Sequence, residues 1–254
     1  VHPLMATTPD TVDSPDEVAP LPRRGLWGVV ALLGEETLAL VRTGRELYGM
    51  FIRTLYFCFR GRREPGAVAF YMHEVGNKSV FFLSVVMGFI GMIMVYQGGI
   101  QHLRILPDLS LMGATFLELL IRDLAARIGA LMLATRVGAG IAAEIGSMVV
   151  TDQVDALRMS AADPVDYLVK PRFIASLVMT ISLCIWGAAG ATVTGTLTAY
   201  GYFDLNPQTF LNLTLVDAPD VGTGLAKCVA YGAAIPLVSG HAGLAPHGGS
   251  EGVG

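Results

Sequence analysis

The chain reads as an all-α integral membrane protein, an N-terminal amphipathic helix followed by a bundle of about four transmembrane helices. Three observations point there. Only 15% of the 254 residues are charged while 53% are hydrophobic, against about 25% charged in soluble domains. Mean hydropathy is +0.56. Two runs, 79–100 and 173–203, contain no Asp, Glu, Lys or Arg, and each exceeds the roughly 20 apolar residues that cross a bilayer core. Helices buried in a soluble fold rarely sustain such runs, so that alternative fails.

From the N-terminus, residues 1–22 hold several Pro and Asp and no apolar core, which excludes a secretory signal peptide. Residues 1–25 are expected to be a disordered tail, with Met5 as the alternative start to Val1. Residues 26–63 are expected to form an interfacial helix. At about 100° per residue, Glu35, Arg42, Glu46, Arg53 and Arg60 fall within a sector of about 40°. Leu33, Leu40, Val41, Tyr48, Phe51 and Leu55 lie opposite. A narrow polar stripe on an apolar helix suits the membrane interface; a soluble amphipathic helix packed on a domain is the alternative.

Four spans follow, at about 79–100, 110–146, 171–203 and 222–243. The second is interrupted by Glu118, Arg122, Asp123, Arg127, Arg136 and Glu144, and the fourth carries Lys227 and Pro236. Basic residues set the orientation. Arg23, Arg24, Arg42, Arg45, Arg53, Arg60, Arg62, Arg63 and Lys78 precede the first span, whereas no Lys or Arg lies between Arg172 and Lys227. The N-terminus and the 147–170 segment are therefore expected in the cytoplasm, and the 204–220 loop outside.

Without a hydrophobic drive between helices in lipid, small residues must allow close approach. Ala126, Ala130, Ala134, Gly138, Ala142 and Gly146 recur at spacing four. So do Gly187, Ala191, Gly195 and Ala199, and again Gly222, Ala226, Ala230 and Ala234. Charges at membrane depth are costly and usually face a cavity, a partner or the bundle interior. Asp123 and Arg127 can pair across one turn, and Arg122 and Arg136 are further intramembrane candidates; neutralisation near a boundary and snorkelling are the plain alternatives.

Residues 136–172 read as a helix leaving the membrane, a short amphipathic helix, a break and a re-entry. Asp163-Pro164 suits an N-cap and first helical position. Met148, Val150, Val154 and Leu157 oppose Asp152 and Asp155, a pattern that fits either a solvated connection or a docking surface. The residue string resembles the signature of the MlaE/YrbE permease family. An Arg-x-Gly-x-x-x-x-x-Glu-x-Gly-x-Met run falls on Arg136, Gly138, Glu144, Gly146 and Met148. Thr-x-Gln-x-Asp-Ala-Leu falls on Thr151, Gln153, Asp155, Ala156 and Leu157, followed by Asp163-Pro164 and Pro171-Arg172. Upstream, Ile121-Arg122-Asp123-Leu124 is similar to the family's Leu-Arg-Glu-Leu, with Ala125-Ala126 where Gly-Pro usually follows, so a kink there is not implied.

The resemblance covers about residue 70 onward. It implies a homodimeric permease of the bacterial inner membrane that binds a cytoplasmic ABC ATPase through a segment comprising Glu144, Gly146, Met148, Thr151, Gln153, Asp155 and Leu157. It further implies an MCE-domain protein outside, a phospholipid or related lipid as cargo, and ATP held by the partner rather than by this chain. A lipid cavity is expected to be lined by 79–100 and the apolar face of 33–60. The family usually has five spans; four are present, and 249–254 look like the link before the fifth, so a final helix is expected to be missing.

No catalytic, metal or cofactor site is legible. Gly76-Asn77-Lys78-Ser79 lacks the Gly-Lys adjacency of a phosphate loop, His73-Glu74 has no second His to complete HExxH, and GxSxG is absent. Cys58, Cys184 and Cys228 are widely spaced, with no zinc pattern, and are expected to be inert apolar residues. The net charge of −4 is small and uninformative about partners, and there is no basic stripe of the kind nucleic-acid binding needs. A membrane channel or a structural scaffold subunit is the alternative function class.

Overall fold

A computed structural model describes residues 26–60, 65–105, 109, 111–161 and 163–245. The expected tail, 1–25, and the link at 249–254 lie outside them. Among the described residues every regular element is helical, as the composition predicts. Helix α1 is Leu26–Arg60 and α2 is Pro65–Ile105. Helix α3 runs Met112–Val150 and contains π-helical turns at Leu120–Leu124 and Ala134–Gly138. Then come α4, Gln153–Met159, and α5, Val165–Phe203, which opens on a π turn at Val165–Val169. The short α6, Pro207–Phe210, precedes α7, Ala218–Leu244.

Two compact units divide the chain, 1–46 and 47–254. Within the first, Leu38, Leu40 and Val41 are exposed on α1. Within the second, Met50, Phe51, Phe57 and Cys58 pack on a cluster of Val165, Val169, Phe173 and Leu237. Burial pushes the Cys58 thiol up, with the Lys170 charge opposing, which makes it a poor nucleophile. Cys184 and Cys228 are buried free thiols, and Cys58 is half-buried.

Among the described residues, four helices are long and apolar enough to cross a bilayer: Gly66–Arg104, Met112–Val150, Val165–Phe203 and Ala218–Leu244, with hydropathies between 1.4 and 2.2. Of the 18-residue apolar stretch in each, only 33–39% is buried inside the bundle. The remainder, including Phe81 at 80% exposure and Leu197 at 65%, is apolar surface far beyond what water tolerates, and lipid is the solvent that suits it. The helices extend beyond the expected spans because amphipathic turns such as 66–78 continue the backbone hydrogen bonding where the charge-free runs end.

Packing follows the small residues. Gly187, Ala191, Gly195 and Ala199 are all buried, and they form the face of α5 against α2. A Cβ on Gly91 of α2 would collide with the Ala191 carbonyl. Two interhelical hydrogen bonds reinforce this seam: Thr194 Oγ1 donates to the Gly88 carbonyl at 2.8 Å, and Trp186 Nε1 to Ser84 Oγ at 2.8 Å.

The row at Ala126, Ala130, Gly138 and Gly146 is buried as expected, with Ala134 and Ala142 half-buried. A spacing of four drifts by about 40° per step on a helix of about 3.6 residues per turn. The π turn at Ala134–Gly138 takes up an extra residue and rewinds that drift. In α7 the structure corrects the expected row. Gly222, Ala226, Ala230 and Ala234 face outward, and the buried row is Gly224, Cys228, Gly232, Pro236 and Gly240. A Cβ on Gly224 would strike the Ile121 carbonyl of α3, and one on Gly232 would come within 3.1 Å of Leu177 Cα of α5. Both rows satisfy the same spacing; backbone approach chooses between them.

Candidate functional site

Among the described residues, three places gather chemistry-bearing side chains: an ion network between α3 and α7, the exposed connection carrying α4, and a charged cavity between α2, α3 and α5.

The network is centred on Asp123, within the first π turn of α3. Its carboxylate pairs with Arg127 at 3.1 Å, as the spacing predicts, and with Lys227 from α7. Lys227 Nζ also donates to the Arg122 carbonyl at 3.0 Å. Arg122 reaches Asp220 at 3.6 Å and Glu118 at 3.8 Å. Lys227 lies about 14 Å along α7 from Ala218, at 1.5 Å per residue, so an uncompensated ammonium there would be costly. Sequence reasoning located Arg122, Asp123 and Arg127 but did not join them to Lys227 or Asp220. The available signal was that a lone Lys in an apolar run must find its carboxylate on another span.

Connecting α3 to α5, residues 151–161 make two sharp corners. Asp152 and Ala161 take left-handed backbone conformations, with φ of 57° and 59°, an uncommon region for residues with a Cβ. Between them α4 projects Gln153 and Asp155 outward, while Val154 is buried and Leu157 half-buried. Met159 is 83% exposed. Thr151 is exposed and its Oγ1 donates to the Ser147 carbonyl at 2.8 Å. Asp155 holds Arg158 at 3.0 Å. Asp163 behaves as expected of a cap, its Oδ1 accepting from the Val165 N–H at 2.9 Å. Gly146 is buried and Met148 half-buried on the last turns of α3.

Glu144 takes a different course from Gln153 and Asp155. It turns to Arg172, whose side chain is 1% exposed, and Glu144 Oε1 lies 2.7 Å from Arg172 Nη2. Arg172 Nη1 donates to the Leu168 carbonyl at 2.7 Å, and its guanidinium carbon stands 4.5 Å from the Tyr71 ring centroid, a cation–π distance. These groups border a cavity of about 460 Å³ that Arg136 also lines. The motif spacing signalled Arg136, Glu144 and Arg172; Tyr71 and Ser79, which complete the wall, carried no signal of their own. Among the described residues no group of His, Cys, Asp or Glu is arranged to hold a metal.

Comparison with known proteins places this arrangement. The family described as Permease MlaE matches residues 68–254. The chain belongs to the MlaE permease family. A probable ABC transporter permease protein of Synechocystis is 36% identical over 190 residues, 72% of this chain and 70% of that protein. One from Rickettsia bellii is 34% identical over 182 residues, 71% of this chain and 70% of its own. The intermembrane phospholipid transport system permease protein MlaE of Haemophilus influenzae is 30% identical over 171 residues, 63% of this chain and 64% of that protein. The MlaE match contains all three places described above, and with the four apolar helices it makes the chain a multi-pass membrane protein of the transport class.

Proposed function

We propose that the chain is the permease subunit of an ABC transporter that moves phospholipids or related lipids between the bacterial inner membrane and the cell envelope. The observation that carries this reading is the family match, which spans the whole four-helix bundle. A relative named for intermembrane phospholipid transport supports the class of cargo. ATP is bound and hydrolysed by a separate cytoplasmic ABC ATPase, and this chain holds no cofactor of its own. A second copy completes a homodimer, and an MCE-domain protein sits on the side of the 204–217 loop. The N-terminal helix lies in the membrane interface, N-terminus cytoplasmic.

The ATPase grips α4. Asp155, Gln153 and Met159 form its exposed face, with Thr151 and Leu157 at its borders. The corners at Asp152 and Ala161 tie α4 to the ends of α3 and α5, so a push on α4 moves those two spans together. Glu144, Gly146 and Met148 lie on the α3 side of that joint and transmit the motion.

Co-expression with the cognate ATPase, pull-down, and ATP-dependent lipid transfer between vesicles form the test. Asp155→Arg is expected to abolish copurification and transfer. Because Asp155 is exposed, stability should stay within about 0.5 kcal/mol of the parent. Normal copurification and transfer by that variant would defeat the docking assignment.

A further inference from the structure

The cavity between α2, α3 and α5 lies at the level where two charge-free runs begin. Ser79 opens the run of α2, and Arg172 immediately precedes that of α5. This is the depth at which hydrocarbon gives way to headgroups. Its walls combine apolar surface from Phe70 and Tyr71 with the polar groups of Ser79, Arg136, Glu144 and Arg172.

Two features mark it as built for a ligand. Ser79 is 2% exposed and its Oγ has no hydrogen-bond partner among the described residues. Arg172, 1% exposed, leaves Nε without an acceptor, and its Nη2 meets Glu144 as an ion pair outside hydrogen-bond geometry. Buried donors left this way are costly unless something accepts from them. Charge is the second feature. Glu144 is matched by Arg172, and Glu74, which also borders the cavity, by Lys78 at 2.7 Å. Arg136 has no ion-pair partner among the described residues. The site therefore holds one surplus positive charge and several orphaned donors beside an apolar wall.

We propose that this cavity binds the phosphodiester of a membrane glycerophospholipid, separately from whatever path the transported lipid follows. Arg136 supplies the matching charge, Ser79 Oγ and Arg172 Nε donate to phosphate oxygens, and Phe70 covers the glycerol and upper acyl carbons. The site needs only the membrane-spanning bundle. It stands or falls independently of the transport reading, because binding is measured without nucleotide or partner.

The purified full chain, stripped of lipid in detergent, is titrated with fluorescent phosphatidylglycerol, with diacylglycerol of the same chains, and with competing inorganic phosphate. Phosphatidylglycerol is expected to bind at least about tenfold more tightly than diacylglycerol, the worth of one charge-assisted hydrogen bond. Arg136→Gln should remove most of that preference without lowering the melting temperature, since Arg136 is exposed. Ser79→Ala should weaken phosphatidylglycerol binding several-fold while leaving diacylglycerol unchanged. Equal binding of the two lipids, or parental preference in Arg136→Gln, overturns the proposal. Displacement of the lipid by inorganic phosphate at the same concentration would assign the site to free phosphate and overturn it as well.

Discussion

The two charged regions on α3 are built from the same residue types and end in opposite states. Toward the α7 side, Glu118, Asp123 and Asp220 face Arg122, Arg127 and Lys227, three charges against three, and every one has an opposite partner within reach. Near the other end, Glu74 and Glu144 face Lys78, Arg136 and Arg172 across an open volume, with one cation in excess and buried donors unused. The first region closes on itself and clamps α3 to α7 through Lys227. The second leaves hydrogen-bonding capacity for something else. An intramembrane charge is thus weak evidence of a ligand until its partners have been counted.

Breaking the closed region should have the larger effect. Asp123→Leu leaves the half-buried Lys227 ammonium without its carboxylate, and an uncompensated charge at that depth is costly. A large fall in the melting temperature in detergent is expected. Asp123→Leu with Lys227→Met should recover most of that loss, because a neutral apolar pair replaces a neutral ionic one. If the double variant is as unstable as the single, the network is not self-contained and the comparison fails.

In the open region the corresponding change should be milder. Glu144→Gln removes a carboxylate that is 42% exposed, while Arg172 keeps the Leu168 carbonyl and the Tyr71 ring. A loss of about 1–3 kcal/mol is expected, again read as a melting shift. A loss matching that of Asp123→Leu would mean that the Glu144–Arg172 pair is as integral to the bundle as the network.

Much of this architecture was legible because hydropathy and small-residue spacing are local. The four spans, the short helix between α3 and α5, the Asp163 cap and the Asp123–Arg127 pair all depend on neighbours within a few residues. What was not legible depends on distant contacts. The choice between two small-residue rows on α7 is made by where the Ile121 carbonyl and Leu177 stand. Lys227 found its partner from another span, and the inward turn of Glu144 needed the position of Arg172. The π turns were also silent in the sequence; Ala134–Gly138 is visible only afterwards, as the device that keeps a spacing-four row facing inward.

Both the proposed docking of an ATPase on α4 and the leaflet that the proposed phosphate site faces turn on which side of the membrane residues 151–161 occupy. The direct measurement replaces Cys58, Cys184 and Cys228 with alanine, introduces Asp155→Cys or, separately, Thr214→Cys, and labels spheroplasts with a membrane-impermeant maleimide. Thr214→Cys is expected to label in intact spheroplasts and Asp155→Cys only after lysis. Labelling of Asp155→Cys before lysis would place α4 on the envelope side and contradict the account.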